Sequence, residues 1–284
     1  MIYEKFINTY TQYLISEKNL SKNTVKNYLI DLNQFFSKNF SHMQIDKEFE
    51  TFISKLRNNN LSLSRINRKV SVIKNFLKFL QSEKIIDQIN LDKFESLKNS
   101  KKIPKAITKS QIDEIFNSLN NSKSRNSKVY TMVLRLMFLS GLRVSEALNI
   151  KWSDLNINDF SINIYGKGSK ERKVYLTREF SEQLFHLKSN SVFIFHIKNK
   201  PISSRTINKF LKDSFKNGII NKSLSSHIFR HSFATTMLEN NADIRHIQKL
   251  LGHSSISTTE IYTKVAKSLK KNVLDSYHPL KNKL

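Results

Sequence analysis

Residues 1–103 contain neither glycine nor proline, so the residue types that usually break helices are missing from the first third of the chain. The apolar spacing there is helical. FINTYTQYLI places Phe6, Tyr10, Tyr13 and Leu14 on one face. A second helix is predicted after Ser21, a suitable N-cap, with Val25, Tyr28, Leu29, Leu32, Phe35 and Phe36 at helical intervals. A third runs over 47–57. The fourth, SRINRKVSVIKNFLKFLQSE, turns Ile66, Val70, Ile73, Leu77 and Leu80 inward and many basic residues outward. Together they predict an all-helical domain over 1–96 with a basic outer face. The polar, basic stretch that begins LKNSKK and carries Pro104 reads as a linker over 97–106.

From residue 107 the pattern changes. Helices are expected near 110–120 and 126–140, and FSINIYGKGSKERKVYL then alternates apolar and polar residues on both sides of GKGSKE. That alternation predicts a β-hairpin with a basic tip, followed by further helices. The expected fold is therefore mainly α, with two domains, the second an α-rich unit over 107–284 holding a small antiparallel sheet.

Charge narrows the partner. Forty-eight Lys and Arg face 23 Asp and Glu, a net charge of +25. A Lys-rich genome accounts for some of the lysines but not for the shortage of acids, and such an excess favours a polyanion through phosphate contacts. No basic amphipathic anchor points to a membrane surface. The chain has no cysteine, which excludes disulfides and thiolate metal sites and fits a cytoplasmic protein. MIYEKFINTYTQYL has Glu4 early and no uninterrupted apolar run, unlike a signal peptide.

The few glycines sit beside cations. SGLRVSEAL puts Gly141 two residues before Arg143, GKG brackets Lys167, and LLGHSS puts Gly252 directly before His253. Arg143 opens a helix, where its donors add to unpaired backbone N–H groups and suit an anion. Glu146 lies one turn on and could orient the guanidinium, although an ordinary i,i+3 surface pair has the same spacing.

SHIFRHSFA poses a choice between metal and phosphate. His227 and His231 are spaced to share a helical face, but Ile228 stands where a zinc peptidase has its general-base Glu, and Arg230 would repel the cation. His227 and Arg230 instead form a pair of donors for a phosphate oxygen, with His231 supporting or packing. Further on, Gly252 closes a helix bearing Ile244, Ile247, Leu250 and Leu251, and Ser257–Glu260 is a capping-box pattern for the next. Tyr262 would fall in its early turns, a candidate nucleophile nine residues after His253.

Arg143, Lys167, His227, Arg230, His253 and Tyr262, taken in order at intervals of 24, 60, 3, 23 and 9 residues, resemble the active site of the tyrosine recombinases, in particular the bacterial Xer-type site-specific recombinases. The Lys167–His227 interval is shorter than in many of them. NLSKNTVKNYLIDLNQF resembles the second helix of the family's N-terminal core-binding domain, and IPKAITKSQIDEIF the entry to its catalytic domain.

The resemblance implies a DNA-binding domain over 1–96 and a catalytic domain over 107–284, with a C-terminal tail over 266–284. It implies that Tyr262 forms a 3′-phosphotyrosyl bond. Arg143, Arg230, His253 and His227 would hold the phosphate, Lys167 would protonate the leaving 5′-oxygen, and His227 is the candidate base. No metal, nucleotide or other cofactor is implied. The implied partners are duplex DNA with an inverted-repeat site and a tetramer on that DNA, of one chain or of two sister recombinases, with a possible accessory motor protein and no membrane. The expected location is cytoplasmic, at the nucleoid. Chromosome or plasmid dimer resolution and mobile-element integration share these residues, and the lack of an extra arm-binding domain leans toward the simple Xer type. A DNA-binding protein that kept the fold without catalysis and a basic RNA-associated protein are the competing classes.

Overall fold

A computed structural model describes residues 2–37, 44–87, 89–97, 107–122, 126–165 and 171–252. The chain forms two compact units that divide between Lys102 and Ile103. No helix among the described residues is long and apolar enough to cross a membrane.

The first unit contains α1 (Ile2–Ser16), α2 (Lys22–Phe35), α3 (Ile45–Asn58) and α4 (Leu63–Ser82). Ser21 caps α2, its hydroxyl accepting the Thr24 N–H at 3.3 Å. In α3, Asp46 and Glu48 lie in the first turn and Lys55 and Arg57 in the last, which complements the helix dipole at both ends. The predicted inward positions of α4 are all buried, and Phe76 of the same helix packs edge-on against Tyr10 of α1 at 5.0 Å. Arg65, Arg68 and Lys78 are exposed, as the pattern predicts. Lys69 is the exception. It is buried, donating at 2.6 Å to both Asp31, which is fully buried, and Gln34. Arg68 reaches the same Asp31 oxygen at 3.0 Å. The acid on α2 draws the lysine in, because a buried carboxylate without a cation is strongly destabilising.

In the second unit, α5 (Lys109–Asn120) starts with a capping box, in which Thr108 and Gln111 each accept the other's backbone N–H. The central helix is α6 (Ser127–Ser140), which packs against α5, α7 (Val144–Leu148), α9 (Ser204–Lys216) and α10 (His227–Glu239). Val133, Leu134, Leu136 and Met137 of α6 are fully buried in this core. Between α7 and α9 lie β1 (Leu155–Asn156), β2 (Ser161–Tyr165), β3 (Glu171–Tyr175), α8 (Arg178–Phe185), β4 (His196–Ile197) and β5 (Lys200–Pro201). The predicted hairpin is β2–β3, and β1 adds a third antiparallel strand on the β2 edge. The β4–β5 pair forms a separate small hairpin.

Helix α10 is apolar on two sides. Phe229 stacks on Phe116 in the main core at 5.5 Å, while Ala234 and Leu238 join Ile247 and Leu251 of α11 (Ile244–Leu251) in a satellite cluster. A helix buried on both sides carries its intervening polar residues inward. Arg230 is one of them.

Candidate functional site

The site begins at the end of α6. Gly141 terminates that helix with φ +65°, its N–H returning to Met137 at 2.9 Å, and the chain turns through Leu142 into α7. Arg143 is the N-cap of α7, a position usually given to a residue whose side chain accepts a hydrogen bond. Arginine has no acceptor, so Glu146 reaches back instead. Its Oε2 accepts the Arg143 backbone N–H at 2.8 Å, and its Oε1 accepts the Arg143 guanidinium at 2.8 Å. The i,i+3 spacing is therefore a half-buried orienting pair: Glu146 is 7% exposed and Arg143 39%.

Two further guanidiniums converge on the same carboxylate. Arg172, from β3, donates to Oε2 at 2.7 Å and to Oε1 at 3.3 Å. Arg230, from α10, places Nη1 at 3.6 Å from Oε2. Burial pushes the Glu146 carboxyl upward, but hydrogen bonds from Arg172 and Arg143 and the nearby Arg172 charge outweigh it and hold the group below its ordinary value. Glu146 stays ionised, and the cluster keeps an excess of positive charge.

Arg230 is 6% exposed. It donates through Nη1 to the Gly141 carbonyl and through Nη2 to the Leu251 carbonyl, both at 2.8 Å. These carbonyls end α6 and α11, where the backbone carries partial negative charge. One side chain thus pins three helices to the carboxylate. A metal ion has no reason to sit here; an anion does.

His227 is the first residue of α10 and is exposed, one turn before Arg230 on the same helix. The backbone that delivers it is anchored by α9: Asn208 accepts the Ser226 N–H at 2.9 Å and donates to the Ser204 carbonyl at 3.0 Å. His231 is half-buried beside Arg230 in sequence. Lys167, His253 and Tyr262 lie outside the described residues, as does the tail over 266–284. Their flanks are described. Tyr165 pairs with Glu171 across the hairpin that carries Lys167, and Gly252, with φ +64°, closes α11 directly before His253.

Glu146 thus gathers Arg143 and Arg230 of the sequence-predicted set, and it adds Arg172, which the sequence did not single out. Within ERKVY, Arg172 follows the strand alternation like any other residue of a basic hairpin. Its partner is 26 positions away, and no local pattern announces it.

The phage integrase family matches residues 105–268, and that family's N-terminal SAM-like domain matches residues 7–84. The chain belongs to the phage integrase family, the tyrosine recombinases, enzymes that cleave and rejoin DNA strands. Tyrosine recombinase XerD of Staphylococcus saprophyticus is 32% identical over 294 residues, covering 97% of this chain and 99% of the relative. Tyrosine recombinase XerC of Pediococcus pentosaceus is 30% identical over 296 residues, covering 97% and 98%. A crystal structure of the XerH site-specific recombinase, bound to a palindromic difH substrate in a post-cleavage complex, shares the fold. Its TM-score is 0.71 at 20% identity, over 91% of this chain and 81% of that one.

Proposed function

We propose that the chain is an Xer-type site-specific recombinase that acts on duplex DNA bearing an inverted-repeat site and resolves chromosome or plasmid dimers. The observation that carries this reading is the Glu146 cluster, in which Arg143, Arg172 and Arg230 meet one buried carboxylate. Preorganised positive charge of this kind stabilises a phosphodiester as its charge rises toward the transition state.

In the proposed reaction the Tyr262 oxygen attacks the scissile phosphorus, the bond to the 5′-oxygen breaks, and a 3′-phosphotyrosyl bond forms. His227 takes the tyrosine proton, and Lys167 gives a proton to the departing 5′-oxygen. Arg143, Arg230 and His253 hold the non-bridging oxygens, Glu146 orients Arg143, and His231 supports Arg230. Attack by a 5′-hydroxyl on the phosphotyrosine reverses the step and rejoins DNA, so the bond energy is conserved within the protein. In the assembly we infer, four protomers, of this chain alone or with a sister recombinase, hold two sites and exchange the tails over 266–284.

The test uses genomic duplexes selected by binding and nicked beside the cleavage position, so that the cut fragment diffuses away. The wild-type chain is expected to accumulate a covalent adduct, while Tyr262→Phe binds the same duplexes without one. A wild-type chain that binds but forms no adduct on any of them would instead be a DNA-binding protein without catalysis.

A further inference from the structure

Arg172 is held more tightly by Glu146 than its place on a hairpin strand requires. It stands opposite Ile164 in the β2–β3 register, yet its side chain is only 15% exposed. Both terminal nitrogens meet both carboxylate oxygens, at 2.7 and 3.3 Å, the paired geometry that gives an arginine–carboxylate contact its direction. The Nε of Arg172 is buried without a hydrogen-bond partner among the described residues, so the grip on Glu146 is what keeps the side chain inside. The same guanidinium lies over the backbone at Gly252. A Cβ there would come within 3.1 Å of Nη1 and 3.4 Å of Cζ. One side chain therefore links strand β3 to the carboxylate that orients Arg143 and lies against Gly252, the residue before His253.

We propose that Arg172 is a positioning residue for strand cleavage, acting through Glu146 on the phosphate-holding arginines. The role rests on the recombinase reading given above. Its logic is electrostatic. With Arg172 in place, Glu146 has a cation of its own and leaves much of the Arg143 charge for the phosphate. Without it, the carboxylate takes up the Arg143 and Arg230 guanidiniums and adds a negative charge beside an anion that is gaining more. Arg172 spends both ends of its fork on Glu146, so its loss should slow cleavage and leave DNA affinity unchanged.

The experiment compares the full wild-type chain with Arg172→Met and Arg172→Lys on a nicked duplex under single-turnover conditions. Cleavage rate at saturating DNA and the binding curve are measured together. Each is then repeated on a duplex whose scissile phosphate carries a methyl group in place of one non-bridging oxygen. On ordinary DNA, Arg172→Met is expected to cleave about 100-fold more slowly, the size of effect seen when one transition-state donor is lost, with binding unchanged. On the methylphosphonate, which starts neutral and reaches the transition state with one negative charge fewer, the gap to wild type should shrink, because Glu146 has less charge to oppose. Arg172→Lys, which keeps a cation but not the fork, should fall between the two. It decides the matter if circular dichroism shows that Arg172→Met does not fold.

An equal loss on both substrates, a parallel loss of binding, or cleavage at the wild-type rate overturns the positioning role. If the wild-type chain itself forms no adduct, the recombinase reading fails and takes the role with it. If the wild type forms the adduct and Arg172→Met cleaves as fast, the role alone fails.

Discussion

Gly141→Ala should damage the catalytic unit through two separable effects. The first is conformational: at φ +65° an L-residue other than glycine costs about 1–2 kcal/mol. The second is steric. A Cβ at this position would lie 2.5 Å from Phe233 Cδ1 and 2.7 Å from Leu251 Cδ2, and overpacking of that kind costs about 1–3 kcal/mol. The expected total is about 2–5 kcal/mol. Gly218→Ala isolates the first effect, since Gly218 has φ +68° with nothing within 4 Å of the added carbon. Urea unfolding followed by tryptophan fluorescence suits the comparison, because the chain has one tryptophan, Trp152, and it packs against the second unit's core. With a slope near the upper end of about 1–3 kcal/mol per molar urea, as expected for a unit of this size, Gly141→Ala should lower the midpoint by roughly 1–2 M. Gly218→Ala should lower it by less, about 1–2 kcal/mol divided by the same slope. Cleavage should fall in Gly141→Ala as well, because the Gly141 carbonyl is an acceptor for Arg230. Equal midpoints for the two variants would refute the steric argument, and an unchanged midpoint for Gly141→Ala would refute both parts.

Two other perturbations follow from the same geometry. The Glu146 carboxyl is held below its ordinary value of 4.5, so its contribution to stability is present above that value and is lost as pH falls through the lower folded value. Glu146→Gln should therefore weaken the protein at neutral pH and flatten its loss of stability in acid, measured as unfolding free energy against pH; equal weakening at pH 7 and pH 3 would contradict the assignment. In the first unit, Lys69→Met leaves Asp31 buried beside only the half-exposed Arg68 and should cost about 3–5 kcal/mol in chemical unfolding. The double variant Asp31→Leu, Lys69→Met should recover most of that loss, and no recovery would show that the pair is not what links α2 to α4.

Local signals carried much of the architecture. Helical spacing marked α1 to α4, the Ser21 hydroxyl marked the start of α2, and Gly252 marked the end of α11, because each of these effects acts within a few residues. Alternation located β2 and β3 for the same reason. The two-residue strands β1, β4 and β5 are too short to show a period, and they exist through pairing with distant segments. Charge was the least legible property. Lys69 and Arg172 read like any other cations of a basic chain, and only folding brings Asp31 and Glu146 to them across 38 and 26 positions. Arg143 and Glu146 were visible as a spacing, yet whether that spacing meant a surface pair or an oriented site depended on the burial of Glu146.

Whether DNA is cut by a single tyrosine is decided by finding the atom to which the DNA is bound. Adduct trapped on a nicked duplex can be digested with protease and nuclease and sequenced by tandem mass spectrometry. A nucleotide 3′-phosphate is expected on Tyr262 and on no other residue. A phosphoryl group on a different tyrosine, a serine or a histidine, or DNA released without any covalent mass on the protein, would contradict it.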